Sequence, residues 1–403
     1  MENTMTIADL SEKPAKNKNE KKWTVLLIVG LVLFIGGIVM LVIGLLGHKE
    51  KQDNPIFPDM TSDSEEKPIY SNLTGEVLSD ANLVNAPTFC IQTPNGTDGA
   101  RPQAGLNTAG VVFEAIAEAG ITRFAAIYQN PTSAVIGPIR SLRLYYLQWD
   151  TPFNCTIVHA GGADDALAAV RSGGYRDLTE NYTYMYRGTY GNRLWNNLFT
   201  TSTLLKQSNA DRGYNTSEVN GFSRMTPEES NKSRIDNLVG EKLNIISPAK
   251  GNTSELIAKV SNISLRFGGW ANFNVNYTYD AGSNKYLRSY ESGAQHDVYS
   301  CPNEDLGEKN PEDVCELTQM APSVVVAMVV NEKKASDNYH EDITAIGSGD
   351  AYIFQNGDVT RGTWKKESVQ DQIKFYDKNK EEVKLAPGQT FVSAIPNYGS
   401  IDF

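Results

Sequence analysis

The chain of 403 residues is 40 % hydrophobic and 21 % charged, which is enough for two domains with buried cores and argues against global disorder. Its net charge of −11 at pH 7 argues against nucleic-acid binding, because phosphate recognition needs clustered cations. The same acidity argues against adsorption along an anionic membrane surface.

The first predicted element is a transmembrane helix at residues 23–46, a segment without any charged residue. At about 1.5 Å per residue this segment crosses a hydrocarbon core of about 30 Å with some tilt. The tail of residues 1–22 is rich in lysine, so the positive-inside rule places it in the cytoplasm. The alternative is a cleaved signal peptide, but the apolar run is long and no small-residue cleavage site follows it. The sequence therefore predicts a single-pass plasma-membrane protein with extracytoplasmic C-terminal domains.

Residues 47–85 predict a linker, because most of this stretch is rich in Asp, Glu, Ser and Pro and lacks hydrophobic periodicity. Residues 86–222 mix strand and helix patterns. Strands are predicted at 89–93 and 156–160, apolar segments at 110–119, 122–129 and 135–139, a helix at 163–172, and a surface loop at 175–197. This region predicts a mixed α/β domain.

Residues 223–256 predict a second linker, with a helix start at Thr226. From residue 257 to residue 403 the pattern is typical of strands. Strands are predicted at 323–330, 375–385 and 390–396, with hairpins at 274–290 and 351–364, the second around a type I′ turn at Asn356-Gly357. The predicted fold class is α+β: one N-terminal transmembrane helix, a mixed α/β domain and a smaller β-rich C-terminal domain.

Four cysteines in an extracytoplasmic chain allow two disulfides. Cys301 and Cys315 bracket a polar loop that contains proline, and we expect them to pair. Cys90 and Cys155 each open an apolar run typical of a strand, so they either pair across neighbouring strands or remain buried free thiols. The spacing of the cysteines and the small number of histidines predict no metal site.

One stretch of the chain uses arginine in place of lysine. No lysine occurs between Lys67 and Lys206, whereas the same stretch contains eight arginines. The planar guanidinium suits fixed bidentate contacts with carboxylate or phosphate. These arginines either form structural ion pairs, with Glu114, Glu118 or Asp177, or hold an anionic ligand.

Four segments of the first predicted domain combine glycine with polar residues in a way that a plain core does not need. They are ARPQAGL at 100–106, EAIAEAGITRF at 114–124, IGPIRSLR at 136–143 and HAGG at 159–162. Together they resemble the YerB-like family of bacterial envelope lipoproteins, whose shared domain has no known function. GAQHD at 293–297, GSGDAY at 347–352, GTWKK at 362–366 and LAPGQT at 385–390 extend the resemblance over most of residues 86–396.

The resemblance implies a bacterial envelope location and supplies no established reaction. The chain departs from the family pattern in two respects. Family members tend to carry an acidic-Asn-His stretch before the ARPQ motif, where this chain has IQTPN at 91–95. Members are also often lipid-anchored, whereas this chain is predicted to use a helix.

Glu114 and Glu118 lie four positions apart and are expected to share one face of a helix or strand. Two close carboxylates can act as acid and base, as in glycoside hydrolysis. The competing interpretation is ion pairing with Arg123, Arg140 or Arg143.

His159 ends a predicted strand before a Gly-Gly turn and a helix N-terminus, where a histidine can carry a proton beside a bound anion. A hydrogen-bonded structural role is the alternative. His296-Asp297 is a candidate proton relay or half a metal site, against a simple loop hydrogen bond. Ser141 lacks the G-x-S-x-G context of a serine nucleophile, and no fingerprint of a nucleotide cofactor is present, so no cofactor is predicted.

Three functions compete. The first is a binding module for an anionic envelope component, such as peptidoglycan peptide or a partner protein. Its predicted ligand-binding residues are Arg101, Gln103, Arg123, Arg140, Ser141, Arg143, His159, His296 and Asp297. The alternative is an envelope-glycan hydrolase or lyase with Glu114, Glu118 or His159 as catalytic candidates. The third is a structural role for the arginine–glutamate contacts.

The first two functions require an open cleft. We expect its walls at residues 101–106, 137–143 and 159–165. The residues predicted to line it are Glu114, Glu118, Arg123, Arg140, Arg143 and His159. Carboxylates buried in pairs with arginine would favour the structural role instead.

Overall fold

The computed structural model of the chain describes residues 67–189, 195–239 and 259–403. The predicted cytoplasmic tail, the transmembrane helix at 23–46 and residues 47–66 of the first linker lie outside these residues. Within the described part of the chain, no helix is long and apolar enough to cross a membrane. Residues 67–403 belong to one compact unit.

Strands dominate the described chain. They are β1 (Thr88–Pro94), β2 (Val111–Glu118), β3 (Ile121–Gln129), β4 (Thr156–His159), β5 (Arg176–Thr179), β6 (Tyr186–Arg187), β7 (Leu198–Phe199), β8 (Asn262–Arg266), β9 (Val275–Asp280), β10 (Lys285–Tyr290), β11 (Asp297–Ser300), β12 (Glu316–Gln319), β13 (Val324–Val330), β14 (Glu332–Lys334), β15 (Glu341–Ile343), β16 (Gly347–Gln355), β17 (Asp358–Lys366), β18 (Lys374–Asp377), β19 (Thr390–Pro396) and β20 (Ser400–Asp402).

Helices are fewer and mostly short. The α-helices are α1 (Leu144–Asp150), α2 (Asp164–Arg171), α3 (Ser202–Ala210), α4 (Pro227–Val239) and α5 (Pro311–Val314). Short 3-10 helices occur at Ala81–Asn85, Leu106–Thr108 and Thr151–Phe153. The predicted helix start at Thr226 is confirmed, because Thr226 and Glu229 cap the start of α4 reciprocally.

A mixed sheet of ten strands has the order β18-β17-β16-β13-β19-β2-β3-β1-β4-β5. Strand β19 pairs in parallel with β13 on one side and with β2 on the other. Because β2 lies in the predicted first domain and β19 in the predicted second, both regions contribute strands to one sheet. The strand-rich α+β class is confirmed.

The central strands of this sheet are buried along their whole length. Every residue of β1, β2 and β19 is buried, as expected for strands that are covered on both faces. Helix α1 covers one face, where Trp149 stacks on Phe113 at 5.4 Å between ring centroids. A second sheet, of order β10-β9-β8-β20, packs Tyr277 and Tyr286 into a core with Val325 of β13.

The β2–β3 hairpin determines how the two glutamates are oriented. Ala119 and Gly120 both have positive φ, 48° and 77°, so a two-residue type I′ turn joins the strands. The register of β2 against β3 shifts between Ile116 and Glu118. Such a bulge inserts one residue and turns the side chains beyond it to the opposite face.

The second predicted type I′ turn is also confirmed. Asn356 and Gly357 join β16 to β17, and both have positive φ, 54° and 73°. The hairpin predicted at 274–290 is formed by β9 and β10.

The expected disulfide between Cys301 and Cys315 forms, and of the two alternatives for Cys90 and Cys155 the structure has the disulfide. Cys90–Cys155 connects β1 to the residue just before its parallel neighbour β4. Cys301–Cys315 closes the polar loop. The free-thiol alternative for Cys90 and Cys155 is therefore excluded in this fold.

Two local predictions are wrong. Leu73, inside the predicted linker of residues 47–85, is 1 % exposed and packs in the main core, so the globular part begins before residue 86.

The loop predicted at 175–197 contains strand β5, which lies at the edge of the large sheet. Only Leu178 of β5 is buried, so the strand leaves little apolar signal in the sequence.

Candidate functional site

Glu114 lies at the centre of a buried polar cluster. Arg288 of β10 donates from Nη2 to both carboxylate oxygens of Glu114, at 2.9 Å and 2.8 Å. Both side chains are 0 % exposed. The hydroxyl of Thr122 on β3 donates to Glu114 Oε1 at 3.0 Å. The ion pair therefore joins β2 of the large sheet to β10 of the small one.

The cluster continues through His296 and Gln103. Arg288 Nη1 donates to His296 Nδ1, and His296 Nε2 lies 3.1 Å from Gln103 Oε1. Because a guanidinium can only donate, Nδ1 accepts and the ring proton lies on Nε2. Burial, with the nearby Arg288 and Arg101, holds the pKa of His296 well below its usual range. His296 is therefore neutral, and its described hydrogen bonds go to Arg288 and Gln103 rather than to Asp297.

Asn95 and Arg101 complete the cluster on the side nearest to solvent. Arg101 Nε and the Tyr290 hydroxyl both donate to Asn95 Oδ1, at 2.9 Å and 3.0 Å. The guanidinium of Arg101 lies over the Tyr290 ring, 3.7 Å from its centroid. Arg101 is half-buried, whereas Asn95 and Gln103 are 0 % exposed. The ARPQ motif thus supplies two residues that bracket the enclosed ion pair.

Burial and pairing act in opposite directions on the arginine of this pair. Burial lowers the pKa of Arg288, but the Glu114 carboxylate acting together with Tyr277 and Tyr290 raises it and leaves it above its ordinary value. Arg288 is therefore charged at all physiological pH values. Desolvation costs several kcal/mol per ion, which only good geometry and further hydrogen bonds offset. Glu114 has no exposed atom with which to reach a substrate.

Glu118 faces the opposite side of the β2–β3 hairpin, which corrects the prediction that it shares a face with Glu114. The bulge turns its carboxylate toward two arginines. Arg123 Nη2 donates to Glu118 Oε1, and Arg143 Nη2 donates to Oε2 at 2.6 Å. The Glu114 carboxylate is bonded instead to Thr122, the neighbour of Arg123 on β3.

The predicted ion pairing of Glu118 with Arg123 and Arg143 is observed. Burial raises the pKa of Glu118, but the two guanidinium groups outweigh this effect and hold the pKa below its usual value. The side chains of Glu118 and Arg143 are only 10 % and 4 % exposed. Because carboxylates buried in pairs with arginine are typical of structural ion pairs, these contacts favour a structural role for the two glutamates.

Arg140 and Ser141 flank this second ion-pair network. The Ser141 carbonyl accepts from Arg123 Nη1 at 3.3 Å. The Arg140 backbone donates to the Gln92 carbonyl, and its Nε has no hydrogen-bond partner among the described residues. This Nε is buried, so Arg140 offers no accessible donor at that atom.

His159 is fully buried at the end of β4. Its Nδ1 lies 2.7 Å from the Gly161 carbonyl oxygen, and its Nε2 lies 2.9 Å from Asp177 Oδ1. Both ring nitrogens therefore lie within hydrogen-bond distance of protein oxygens. This arrangement matches the structural alternative for His159. It also pairs Asp177 with a histidine and not with an arginine.

A groove of about 960 Å³ runs between α1, the start of α2 and the β14–β15 hairpin. Its lining includes Arg143, Gln148, Asp164, Asp165, Lys333, Lys334, Asp337, His340, Glu341 and Asp342. The Glu118 network lies beside it, because Arg143 belongs to both and Glu118 forms a β-bridge with His340. Two of the three predicted cleft walls, residues 137–143 and 159–165, therefore reach this groove.

The lining of the groove is acidic overall. Three side chains are Lys or Arg, and five are carboxylates. Each of the three cations is already ion-paired, Arg143 with Glu118, Lys333 with Asp342 and Lys334 with Glu341. The carboxylates of Asp164 and Asp165 have no ion pair among the described residues. A ligand in the groove therefore meets an excess of negative charge.

The predicted cleft forms only in part. Ala104 pairs with Gly137, and Leu142 pairs with Gly162, so the three predicted walls are neighbours in space. The groove, however, is lined by the last two walls together with the β14–β15 hairpin. Of the six residues predicted to line the cleft, Arg143 alone lines this groove.

Arg288 is the main residue of the buried cluster that the motif analysis missed. It lies between Tyr286 and Tyr290 on the inward face of β10, where exposed or half-buried residues alternate with buried ones. An arginine on the apolar face of an alternating strand signals a buried ion pair. The alternating pattern of β10 indicates that Arg288 is paired with a buried carboxylate. No local pattern, however, identifies that carboxylate as Glu114.

Comparisons with known proteins extend over both halves of the chain. Residues 73–215 match the N-terminal domain, and residues 263–392 the C-terminal domain, of a family described as "Protein of unknown function (DUF3048)". "Putative lipoprotein YerB" of Bacillus subtilis (strain 168) is 24 % identical over 306 residues, which are 75 % of this chain and 80 % of that protein.

A solved structure shares the fold. The crystal structure of the YerB protein from Bacillus subtilis superposes with a TM-score of 0.64 at 21 % sequence identity. The match covers 83 % of this chain and 100 % of the solved one.

Proposed function

Because this chain belongs to the YerB-like DUF3048 family of two-domain proteins, we propose that it is a membrane-anchored cell-envelope protein whose acidic groove binds an envelope ligand carrying amino groups. The observation that carries the proposal is the excess of carboxylates, five against three cations, along the groove of about 960 Å³. A groove of this volume is within the range of small-ligand sites.

The extracytoplasmic location is supported by the disulfides and by the N-terminal sequence. Disulfides persist in compartments outside the cytoplasm. The charge-free segment at 23–46 follows a lysine-rich tail, as in an anchor with a cytoplasmic N-terminus. The relative's name describes a lipoprotein. In this sequence all four cysteines are in disulfides, so we assign the anchor to the apolar segment and not to a lipid.

The proposed ligand differs from the anionic one that the arginine content suggested. Arg123 and Arg143 are both ion-paired with Glu118, whereas Asp164 and Asp165 have no ion pair among the described residues at one wall of the groove. An ammonium group placed there would form charge-assisted hydrogen bonds with carboxylates. Among envelope components, the peptides of peptidoglycan supply such amino groups.

A glycan hydrolase that uses Glu114 or Glu118 has less support. A general acid must lie within hydrogen-bond reach of the bond that it protonates. Glu114 is enclosed with Arg288, and Glu118 holds two guanidinium groups. A purely structural role for these ion pairs agrees with the same contacts, but it does not account for the acidic groove.

The test is co-sedimentation of residues 67–403, which belong to one compact unit, with purified peptidoglycan. One sample of peptidoglycan is left native and a second has its free amino groups acetylated. We expect binding to the native material and roughly tenfold weaker binding to the acetylated material. Absence of binding, or equal binding to both, contradicts the proposal. Release of soluble glycan fragments would support the hydrolase instead.

A matched pair of variants locates the site. Asp164→Asn/Asp165→Asn removes two charges from the groove and should weaken binding about tenfold. Asp236→Asn/Asp350→Asn removes the same charge from exposed positions outside the groove and should leave binding unchanged. Equal effects of the two double variants would place the binding outside the groove.

A further inference from the structure

A second hollow, of about 490 Å³, lies at the tip of the β2–β3 hairpin. Its walls are the hairpin turn at Ala119 and Gly120, the loop at 268–270, strand β14 and Tyr398. It shares Lys333, Lys334 and Glu341 with the acidic groove, so the two cavities adjoin at the β14–β15 hairpin. The proposed amine ligand makes no use of this hollow.

Two aromatic rings stand open to solvent at the hollow. Trp270 is 69 % exposed and Tyr398 is 58 % exposed. Trp270 Nε1 donates to the Ala119 carbonyl at 3.3 Å, and the Tyr398 hydroxyl donates to Glu332 Oε1 at 2.6 Å. Hydrogen bonds therefore orient both rings while both side chains remain exposed. Such rigid exposed aromatics are typical of recognition surfaces.

Glycines allow the loops to approach closely enough to form the hollow. Gly268 has φ +77°, and a Cβ there would lie 2.5 Å from the Tyr398 ring. A Cβ on Gly269 would lie 2.9 Å from the carbonyl oxygen of Gly120. A larger residue at either position would push the Tyr398 ring or the hairpin turn away, so the shape of the hollow depends on these glycines.

Polar groups line the hollow without giving it a net charge. Its two lysines are each ion-paired, Lys333 with Asp342 and Lys334 with Glu341. Glu332 Oε2 is buried and has no hydrogen-bond partner among the described residues. Burial raises the pKa of Glu332 to about 7. Near neutral pH this carboxyl group is therefore available both as a donor and as an acceptor.

We propose that the hollow is a subsite for one pyranose ring of an envelope glycan. A pyranose has an apolar C–H face, which packs on aromatic rings, and a rim of hydroxyl groups, which need donors and acceptors. Trp270 and Tyr398 provide the apolar contact, and Glu332 and Lys334 provide the polar ones. The balanced charge fits an uncharged sugar, because an ionic ligand would be desolvated without a compensating partner. A glycan chain held here would place its attached peptides beside the acidic groove.

The test uses tetra-N-acetylchitotetraose, a glycan that has neither peptide nor free amino groups, titrated into residues 67–403. Tryptophan fluorescence and calorimetry should show saturable binding with Kd on the order of 1 mM or tighter. Trp270→Ala should weaken binding about tenfold or more, since it removes the aromatic ring on which the sugar stacks. Trp195→Ala is the matched control, because Trp195 is 71 % exposed and lies outside the hollow. We expect it to bind like the unmodified chain.

A second variant tests the polar side of the subsite. Glu332→Gln keeps the shape of the side chain and should weaken binding about threefold to tenfold, with circular dichroism showing that the fold is kept. The subsite is refuted if the unmodified chain does not bind the tetrasaccharide, or if Trp270→Ala binds as well as Trp195→Ala. Because the tetrasaccharide has no amino groups, a failure to bind it would not contradict amine-dependent binding in the acidic groove. Likewise, a failure of the peptidoglycan test would not contradict the sugar subsite.

Discussion

Glu114 of β2 and Arg288 of β10 form a fully enclosed ion pair although 174 positions separate them in the chain. Their contact joins the region that matches the N-terminal family domain to the region that matches the C-terminal one. Removing either partner leaves the other charge buried without compensation. The pair therefore makes the folding of the two regions interdependent.

Glu114→Gln should lower the free energy of unfolding by about 3–5 kcal/mol, because Arg288 would remain buried and charged without a carboxylate. Urea denaturation of residues 67–403 measures the change. Glu316→Gln, the same substitution at an exposed position of β12, should stay within about 0.5 kcal/mol of the unmodified chain.

A double-mutant cycle tests whether the effect comes from the pair itself. Glu114→Gln/Arg288→Met removes both charges and should be less destabilising than the sum of the two single substitutions. A loss below about 1 kcal/mol for Glu114→Gln, or strict additivity in the cycle, would contradict this account of the pair.

The stability of the chain should fall in acid partly through Glu118. Arg123 and Arg143 hold the pKa of Glu118 below its usual value despite burial. A depressed pKa in the folded state contributes stability above the unfolded value of about 4.5, and this contribution is lost as the pH falls through the folded value. Glu118→Gln should therefore show a flatter dependence of unfolding free energy on pH below about 4.5. An unchanged slope in that range would indicate that the two arginines do not stabilise the ionised form.

Local patterns predicted the parts of the fold that depend on local physics. The apolar runs of β13 and β19 predict buried strands, and all their residues except the half-buried Val329 are buried. Asn356-Gly357 predicts a type I′ turn, in which both residues adopt positive φ. The edge strand β5 was missed because only Leu178 of its residues is buried. Edge strands contribute few apolar contacts, so their sequence carries little of this signal.

The candidate site was less accessible to sequence reasoning. Spacing alone places Glu114 and Glu118 on one face, but the bulge between Ile116 and Glu118 inserts a residue and separates them. The acidic character of the groove was also missed, because it depends on the β14–β15 hairpin lying against α1 and α2. Such long-range contacts follow from the sheet topology and not from any single segment.

The two disulfides should contribute unequally to stability. In the chain-entropy treatment, a cross-link stabilises more when it closes a longer loop. Cys90 and Cys155 are 65 positions apart, and Cys301 and Cys315 are 14 apart. Replacing the first pair by alanine should cost about 4 kcal/mol, and replacing the second pair about 3 kcal/mol. Denaturation of the two double variants under oxidising conditions measures both, and the reverse order would show that native-state packing outweighs loop length.

Glu332 should give the chain a pH dependence of the opposite sign to that of Glu118. Burial raises the pKa of Glu332 from 4.5 to about 7, with Glu341 adding to the rise while Lys334 and the Tyr398 hydroxyl oppose it. Between these two pH values the Glu332 carboxyl group is ionised in the unfolded chain but still protonated in the folded chain. This group therefore lowers the free energy of unfolding as the pH rises from about 4.5 to about 7.

Glu332→Gln removes the titrating group and keeps the size of the side chain. After allowance for the partial exposure of Glu332, the stability of the variant relative to the unmodified chain should increase by about 1–2 kcal/mol across that pH range. Urea denaturation at several pH values measures the difference, and Glu304→Gln, at an exposed position away from the hollow, serves as the control. Parallel curves for Glu332→Gln and the unmodified chain would mean that Glu332 is ionised at neutral pH. The carboxyl group of the hollow would then act only as an acceptor, and a sugar hydroxyl would have to donate to it.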